Sequence, residues 1–372
     1  MTIINISIEK NIKNINFNYN FNVKSKKIVI FGPSGSGKST LLNIIAGFIK
    51  PDYGKILINN RELFCSEKNI DIPINLRKIG YLTQEDSLFP NMNIIENLLY
   101  GTNGRFKYIN NNEVIYKLVR KFQIYDKIND MPCELSCGQK QRVALIRAIL
   151  SDPLLLLLDE PFSALDTAIK NCLKRVVIDI SNEMNIPIIF VTHDINDCYY
   201  MGEETIILDN CSVLENGETD KIVNSPKYIE TAKILDFRNI WKIDFITNEY
   251  EVVLKNKLKF KYRNENKYDN FLQNKKNYRF ITIKQENIKI IDNNSEYKEN
   301  DIIIEGKILK IDKIAYDYEI KIECTNYNNF IIDIIIKCNE ISLTDLVIDR
   351  LINVLISNEY LIFLEKKDYL ND

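Results

Sequence analysis

The chain has 372 residues, enough for two domains or one large domain with an appendage. Hydrophobic residues make up 45% and charged residues 27%, the balance of a globular protein with a real core. The net charge of −2 and isoelectric point near 5.8 give no bulk attraction for nucleic acid, so no nucleic-acid partner is expected.

The start, Met1-Thr2-Ile3-Ile4-Asn5, lacks the basic and apolar regions of a signal peptide, and no apolar run reaches the length of a membrane span. The eight cysteines form no Cys-x-x-Cys pair and read as reduced cytosolic thiols. Asn, Ile and Lys are abundant but scattered, which reads as coding bias rather than mechanism.

Residues 3 to 31 alternate apolar and polar (Ile4, Ile6, Ile8, then Phe17, Tyr19, Phe21, Val23). This predicts an antiparallel β layer leading into a buried strand, Lys27 to Phe31. That strand runs into Gly32-Pro33-Ser34-Gly35-Ser36-Gly37-Lys38-Ser39-Thr40, which fits the phosphate-loop pattern. Leu41 to Phe48 follows with helical apolar spacing, so the glycines sit at a strand-to-helix turn. There the backbone can wrap a phosphate and the helix N-terminus adds partial positive charge. Lys38 reaches β- and γ-phosphates, and the Ser39 hydroxyl suits Mg²⁺.

Lys50 to Lys55 reads as a turn and Lys55 to Asn60 as a returning strand. Ile79 to Gln84 is a further strand, whose last side chain, Gln84, reaches Mg²⁺ or an attacking water at the ligand-binding rim. Helical pieces follow at Ile94 to Tyr100 and Glu113 to Phe122. Leu135-Ser136-Cys137-Gly138-Gln139 opens another helix, and its Ser and Gly present N–H groups to an anion. Pro153 to Glu160 is a fully apolar strand ending in two carboxylates. Asp159 suits Mg²⁺ and Glu160 suits orienting or deprotonating a water. Ser163-Ala164-Leu165-Asp166 precedes a helix striped with Ile169, Leu173, Val176, Val177 and Ile180. The run Ile186 to Asp194 delivers the one histidine, His193, to the same rim as a candidate γ-phosphate sensor.

Thr205 to Leu208 and Ser212 to Gly217 form a hairpin-like pair, and residues 218 to about 239 read as surface-bound helix. From about 240 the composition shifts to short β runs: Phe245 to Leu258, Phe280 to Ile291, Ile302 to Ile314, Tyr318 to Cys324, Phe330 to Cys338 and Val354 to Leu364. The expected organisation is an α/β domain over residues 1–235, a connecting β segment over 236–295, and an all-β domain over 296–372, with no catalytic constellation in the β part.

Together these residues resemble the ATP-binding subunit of ABC transporters. The loop Gly32 to Thr40, Gln84, Leu135 to Gln139, Asp159-Glu160, Ser163 to Asp166 and His193 occur in that family's order. The resemblance implies a P-loop NTPase of ABC type and two copies sandwiching two ATP molecules. Gly32, Pro33, Ser34, Gly35, Ser36, Gly37, Lys38, Ser39 and Thr40 would bind ATP in one copy, with Ser136, Gly138, Gln139 and Asp166 supplied by the other. Ser39, Gln84 and Asp159 would serve Mg²⁺, and Glu160, His193 and Gln84 would be catalytic. A membrane permease would dock around Gln84 and an extracytoplasmic solute-binding protein would act indirectly, which puts the chain on the cytoplasmic face of the cell membrane.

Leu63 to Pro73, Leu88-Phe89-Pro90 and Asn97 to Gly101 are similar to the molybdate importers. The stretch from Gly306-Lys307-Ile308 is similar to their oligonucleotide-binding-like (TOBE/Mop-type) β domain. Importers of sulfate, iron, polyamine or sugar share the architecture. A soluble ABC ATPase lacks support because no coiled-coil or zinc insertion is visible. A phosphate-loop kinase or GTPase is disfavoured by Ser136 to Gln139, and a ligand sensor is the remaining alternative.

Three departures carry expectations. Cys137 stands where the family's signature has its first glycine, so hydrolysis should be slower than with glycine. No aromatic stands near Glu9 to Ile12, where the family stacks adenine, so affinity is weaker or another side chain stacks. Glu299, Asp301 and Ile302 occupy the stretch that binds oxyanion in the molybdate type, and carboxylates repel an anion.

Overall fold

The computed structural model describes residues 3–83, 88–102, 112–162, 165–247, 251–255, 258–261, 277–291, 297–298, 301–315, 317–327, 330–338 and 346–367. The chain folds as two units, Met1–Ile222 and Val223–Asp372.

The first unit begins with β1 (Ile4–Ile12) and β2 (Ile15–Val23), paired antiparallel across a two-residue turn. Lys13 (φ 50°) and Asn14 (φ 66°) are both left-handed there, as such hairpin turns require. β2 buries every second residue from Phe17 to Val23, so the alternation read from the sequence is a one-sided sheet. β3 (Lys27–Phe31) leads into α1 (Lys38–Ala46).

β4 (Tyr53–Ile58) returns beside β1, and the strand starts earlier than expected. Gly54 (φ 104°) is in the strand rather than a turn, because a Cβ there would collide with the main-chain oxygen of Ser7. β5 (Arg61–Cys65), β6 (Ile70–Asp71), α2 (Ile74–Arg77), β7 (Ile79–Leu82), α3 (Ile94–Gly101), α4 (Asn112–Lys121) and α5 (Cys137–Leu150) follow. Next come β8 (Leu155–Asp159), α6 (Thr167–Met184), β9 (Ile188–Thr192), α7 (Ile195–Met201), β10 (Glu204–Asp209), β11 (Ser212–Glu218) and α8 (Thr219–Asn224).

Among the described residues, eleven strands make one sheet in the order β6-β5-β4-β1-β2-β11-β10-β3-β9-β8-β7. β10, β3, β9, β8 and β7 are mutually parallel, and β8 and β9 are buried along their whole length. Central parallel strands lie between two covered faces, which is why they read as unbroken apolar runs. Arg77, 1% exposed, fastens the far end of α1: it donates to the carbonyls of Ile44 (3.0 Å) and Ile45 (2.8 Å) and pairs with Asp71 at 3.1 Å.

The segment expected to be surface-bound helix is instead half core. α8 is followed by α9 (Ile229–Ile234), and Ile222, Val223, Ile229, Ala232, Leu235 and Phe237 are all buried. Their helical spacing, not the charged residues between them, decides the burial.

In the second unit, β12 (Asn239–Ile246), β13 (Glu251–Leu254), β14 (Lys259–Lys261), β15 (Tyr278–Ile283), β16 (Ile288–Ile291), β17 (Ile302–Ile314), β18 (Asp317–Cys324), β19 (Ile331–Lys337), β20 (Leu351–Ile356) and β21 (Ile362–Glu365) form two sheets. Their orders are β14-β13-β12-β15-β21 and β16-β20-β17-β18-β19. One buried cluster runs through both, including Leu254, Ile281, Ile304, Ile320 and Val354. Three of the expected β runs hold parts of two strands each: Phe245 to Leu258 (β12, β13), Phe280 to Ile291 (β15, β16) and Val354 to Leu364 (β20, β21). Short 3₁₀ turns at Gln285–Asn287 and Asn358–Tyr360 send the halves of the last two into different sheets. Among the described residues no helix is long and apolar enough to cross a membrane.

Candidate nucleotide site

β3 ends at the glycine-rich loop, and α1 starts at Lys38 with Gly37 as its N-cap (φ 94°). A Cβ at Gly37 would stand 2.5 Å from the Tyr19 hydroxyl and 3.3 Å from the Phe17 ring, so only glycine fits this bend. The Tyr19 hydroxyl donates to the Gly37 carbonyl. Lys38 folds back into the loop, donating to the carbonyls of Gly32 (2.9 Å) and Pro33 (2.8 Å).

β8 and β9 deliver the acidic and imidazole groups to the same rim. The Ser39 hydroxyl stands beside the Asp159 carboxylate and favours its charged form. Glu160 follows at φ 46°, a left-handed backbone that a glutamate adopts at a cost of about 1–2 kcal/mol. Its Oε1 lies 3.2 Å from Nδ1 of His193, whose side chain is 68% exposed.

Burial pushes the Asp159 carboxyl above its ordinary pKa, against the Ser39 hydroxyl and Lys38, while the charge of Glu160 adds to the rise. Burial also pulls the Lys38 ammonium down, and the carboxylates of Glu160 and Asp159 oppose it. The structure thus brings Lys38, Ser39, Asp159, Glu160 and His193 together.

The residues fit a nucleoside triphosphate and Mg²⁺. Ser36 is 3% exposed and its hydroxyl has no hydrogen-bond partner among the described residues, the state expected of a donor meant for a ligand oxygen. Ser39 and Asp159 are hard oxygen donors of the kind Mg²⁺ takes.

Ser136, Gly138 and Gln139 sit at the start of α5. The Ser136 hydroxyl accepts from Gln139 N–H (3.3 Å) while the side-chain amide oxygen of Gln139 accepts from Ser136 N–H (2.9 Å), a reciprocal cap. Cys137 is exposed beside them and Gly138 is buried. Asp166 is exposed and caps α6 without a side-chain cap hydrogen bond. Pro33, Ser34 and Gly35 are exposed on the loop and Thr40 is half-buried. Gln84, Ser163 and Ala164 lie outside the described residues, as does Glu299.

Sequence reasoning missed Tyr19, whose place in an alternating strand signals burial but not its partner. It also missed the polar groups packed beside His193 in sequence and through hydrogen bonds, the buried Lys174, Thr192 and Asp197.

Residues 12–163 match the family described as ABC transporter. The molybdate/tungstate import ATP-binding protein WtpC of Archaeoglobus fulgidus is 32% identical over 237 residues, which are 64% of this chain and 95% of that protein. The chain belongs to the ABC transporter family. The molybdenum import ATP-binding protein ModC of Haemophilus influenzae is 38% identical over 224 residues, 60% of this chain. This ABC transporter protein spans 58% to 63% of the length of the ModC relatives it matches. The solved structure of cbiO1 from Clostridium perfringens, part of the ABC transporter complex cbiONQ, aligns with TM-score 0.51 and 26% identity, covering 59% of this chain and 90% of that one. The ABC transporter fold here is the expected α/β P-loop type, followed by an all-β part.

Proposed function

We propose that the protein is the ATP-hydrolysing subunit that energises import of a small oxyanion, molybdate or tungstate, through a separate membrane permease. The observation that carries the reading is the single rim on which Lys38, Ser39, Asp159, Glu160 and His193 meet. The names of the ModC and WtpC relatives support the solute class.

ATP is the substrate. Gly32 to Thr40 wrap its phosphates, and Lys38 turns from the loop carbonyls to the β- and γ-phosphoryl oxygens. Ser39, Asp159 and Gln84 would hold Mg²⁺, which would supply neutralisation of phosphate charge. Glu160 accepts the proton of the attacking water. His193, oriented by its contact with Glu160, donates to the γ-phosphoryl group.

The active form is a pair of copies in which Ser136, Gly138, Gln139 and Asp166 of one reach the nucleotide on the other. The exposure of Ser136 and Asp166 supports this reading. The permease docks near Gln84 on the cytoplasmic face of the cell membrane, and a solute-binding protein feeds the permease. The unit Met1–Ile222 is the nucleotide-binding domain, and the all-β unit Val223–Asp372, whose sheets join strands from 236–295 with strands from 296–372, is the TOBE-type part.

The test is reconstitution with co-purified membrane partners in liposomes, scoring ATP-driven uptake of molybdate, sulfate and ferric iron. Uptake of molybdate alone supports the whole reading. Hydrolysis with no membrane partner retained on purification overturns the importer assignment.

A further inference from the structure

Beside the His193 turn, joined to it through hydrogen bonds, lies a buried charge cluster outside the nucleotide site. Asp197 is 1% exposed, Lys174 3% and Thr192 4%. Lys174 of α6 forms an ion pair with one carboxylate oxygen of Asp197 on α7. The other oxygen accepts the Thr192 hydroxyl at 2.8 Å, and that hydroxyl accepts the Asp194 N–H at 3.0 Å. One hydroxyl therefore grips the chain on both sides of His193. Lys170, one turn earlier on α6, adds contacts to Asp194 (3.2 Å) and Asp197 (3.5 Å).

A pair buried this deeply contributes little net stability, because desolvation offsets the Coulomb attraction. Its lasting effect is a fixed geometry. We propose that Lys174 and Asp197 are positioning residues for His193: the pair anchored on α6 fixes the Thr192 hydroxyl, which fixes the turn that aims the imidazole at Glu160. The kinetic consequence rests on the ATP-hydrolysis reading above; the structural one does not.

The test uses the full chain with Lys174→Met/Asp197→Leu, which replaces both charges with apolar side chains of similar branching. Thr192→Val is the second variant and removes only the gripping hydroxyl. The chain has one histidine, so isotope-labelled histidine gives a single imidazole NMR signal.

In both variants we expect that signal to broaden and move towards free histidine. ATP affinity should stay within about twofold, while kcat falls by about 10- to 100-fold, the scale of a catalytic group misplaced by an ångström. An imidazole signal unchanged in Thr192→Val overturns the inference, as does an unchanged kcat in the double variant. Should the double variant unfold, Thr192→Val decides alone. If the wild type binds ATP but does not hydrolyse it, the functional reading fails and the NMR result still decides the positioning.

Discussion

The hydroxyl of Tyr19 donates to the main-chain oxygen of Gly37 at 2.8 Å. A strand of the antiparallel layer thus braces the phosphate loop of the parallel layer, and burial of the ring pushes the phenol's pKa upward, so the donor stays protonated. Tyr19→Phe keeps the packing and deletes the brace. It should cost about 1 kcal/mol in urea unfolding and weaken ATP binding about threefold in fluorescence titration. Unchanged binding would show that the loop holds its shape without the strand.

Asp159 carries an apparent conflict between stability and activity. Its pKa is raised in the folded state, first by burial, so the folded protein favours the protonated acid. The stability it contributes is fully present below the ordinary carboxylate range and is lost as pH rises through the raised value. Asp159→Asn mimics the protonated form and keeps an acceptor for Ser39. In nucleotide-free protein at pH 7 its thermal midpoint should rise by about 2 °C, while Mg²⁺-dependent hydrolysis falls by about 100-fold. A lower midpoint by calorimetry would contradict this account.

Glu160→Gln removes the proton acceptor but leaves the contact to His193 available through the amide oxygen. Hydrolysis should fall by about 10²- to 10⁴-fold. With MgATP present, gel filtration should then show a species of twice the monomer mass, because closure without hydrolysis traps the pair. A monomer under those conditions would count against the two-copy site.

Cys137 is the first residue of α5, exposed next to the Ser136 cap. If a second copy's nucleotide approaches this helix start, the thiol stands in the way of the closest approach. Cys137→Gly should raise kcat by at least about twofold, equivalent to about 0.4 kcal/mol of barrier. Equal turnover in a steady-state assay would mean that the helix start does not meet the phosphate closely.

Asp301 is already committed within its own unit. It accepts from Ser357 (2.9 Å), Lys298 N–H (3.1 Å) and Asn358 N–H (3.4 Å), beside a cavity of about 370 Å³. Lys298, the nearest cation in sequence, is paired with Glu359 at 2.9 Å. Isothermal titration of the full chain with molybdate should therefore give no binding heat up to about 1 mM. Stoichiometric heat would show that this cavity, or another in the unit, recruits enough cationic groups to overcome the carboxylates.

Much of the candidate site's geometry was legible because each element signals itself locally. A five-residue apolar strand with a glycine loop behind it, or with Asp159-Glu160 behind it, has few other places in a fold than a central parallel strand. The gripping groups around His193 were not legible. Lys174 and Asp197 belong to different helices, and nothing in either sequence stretch announces the other. The stripe on α6 correctly picked Leu173 and Val177 as buried but left Lys174, whose burial depends on a partner. In the second unit the 3₁₀ turns at Gln285–Asn287 and Asn358–Tyr360 contain no Gly or Pro, so two strands read as one. Gly54 misled in the opposite direction, since its glycine serves close strand approach rather than a turn.

β3 is flanked by β9, pairing from Lys27↔Ile188, and by β10, pairing from Ile28↔Glu204. Both neighbours are encoded far downstream of the loop they support. On the ribosome, the complete motif from Gly32 to Thr40 emerges long before the strands that hold it in place. A nascent chain halted before Asp209 would present β3 with an open edge, exposed to pairing with other chains.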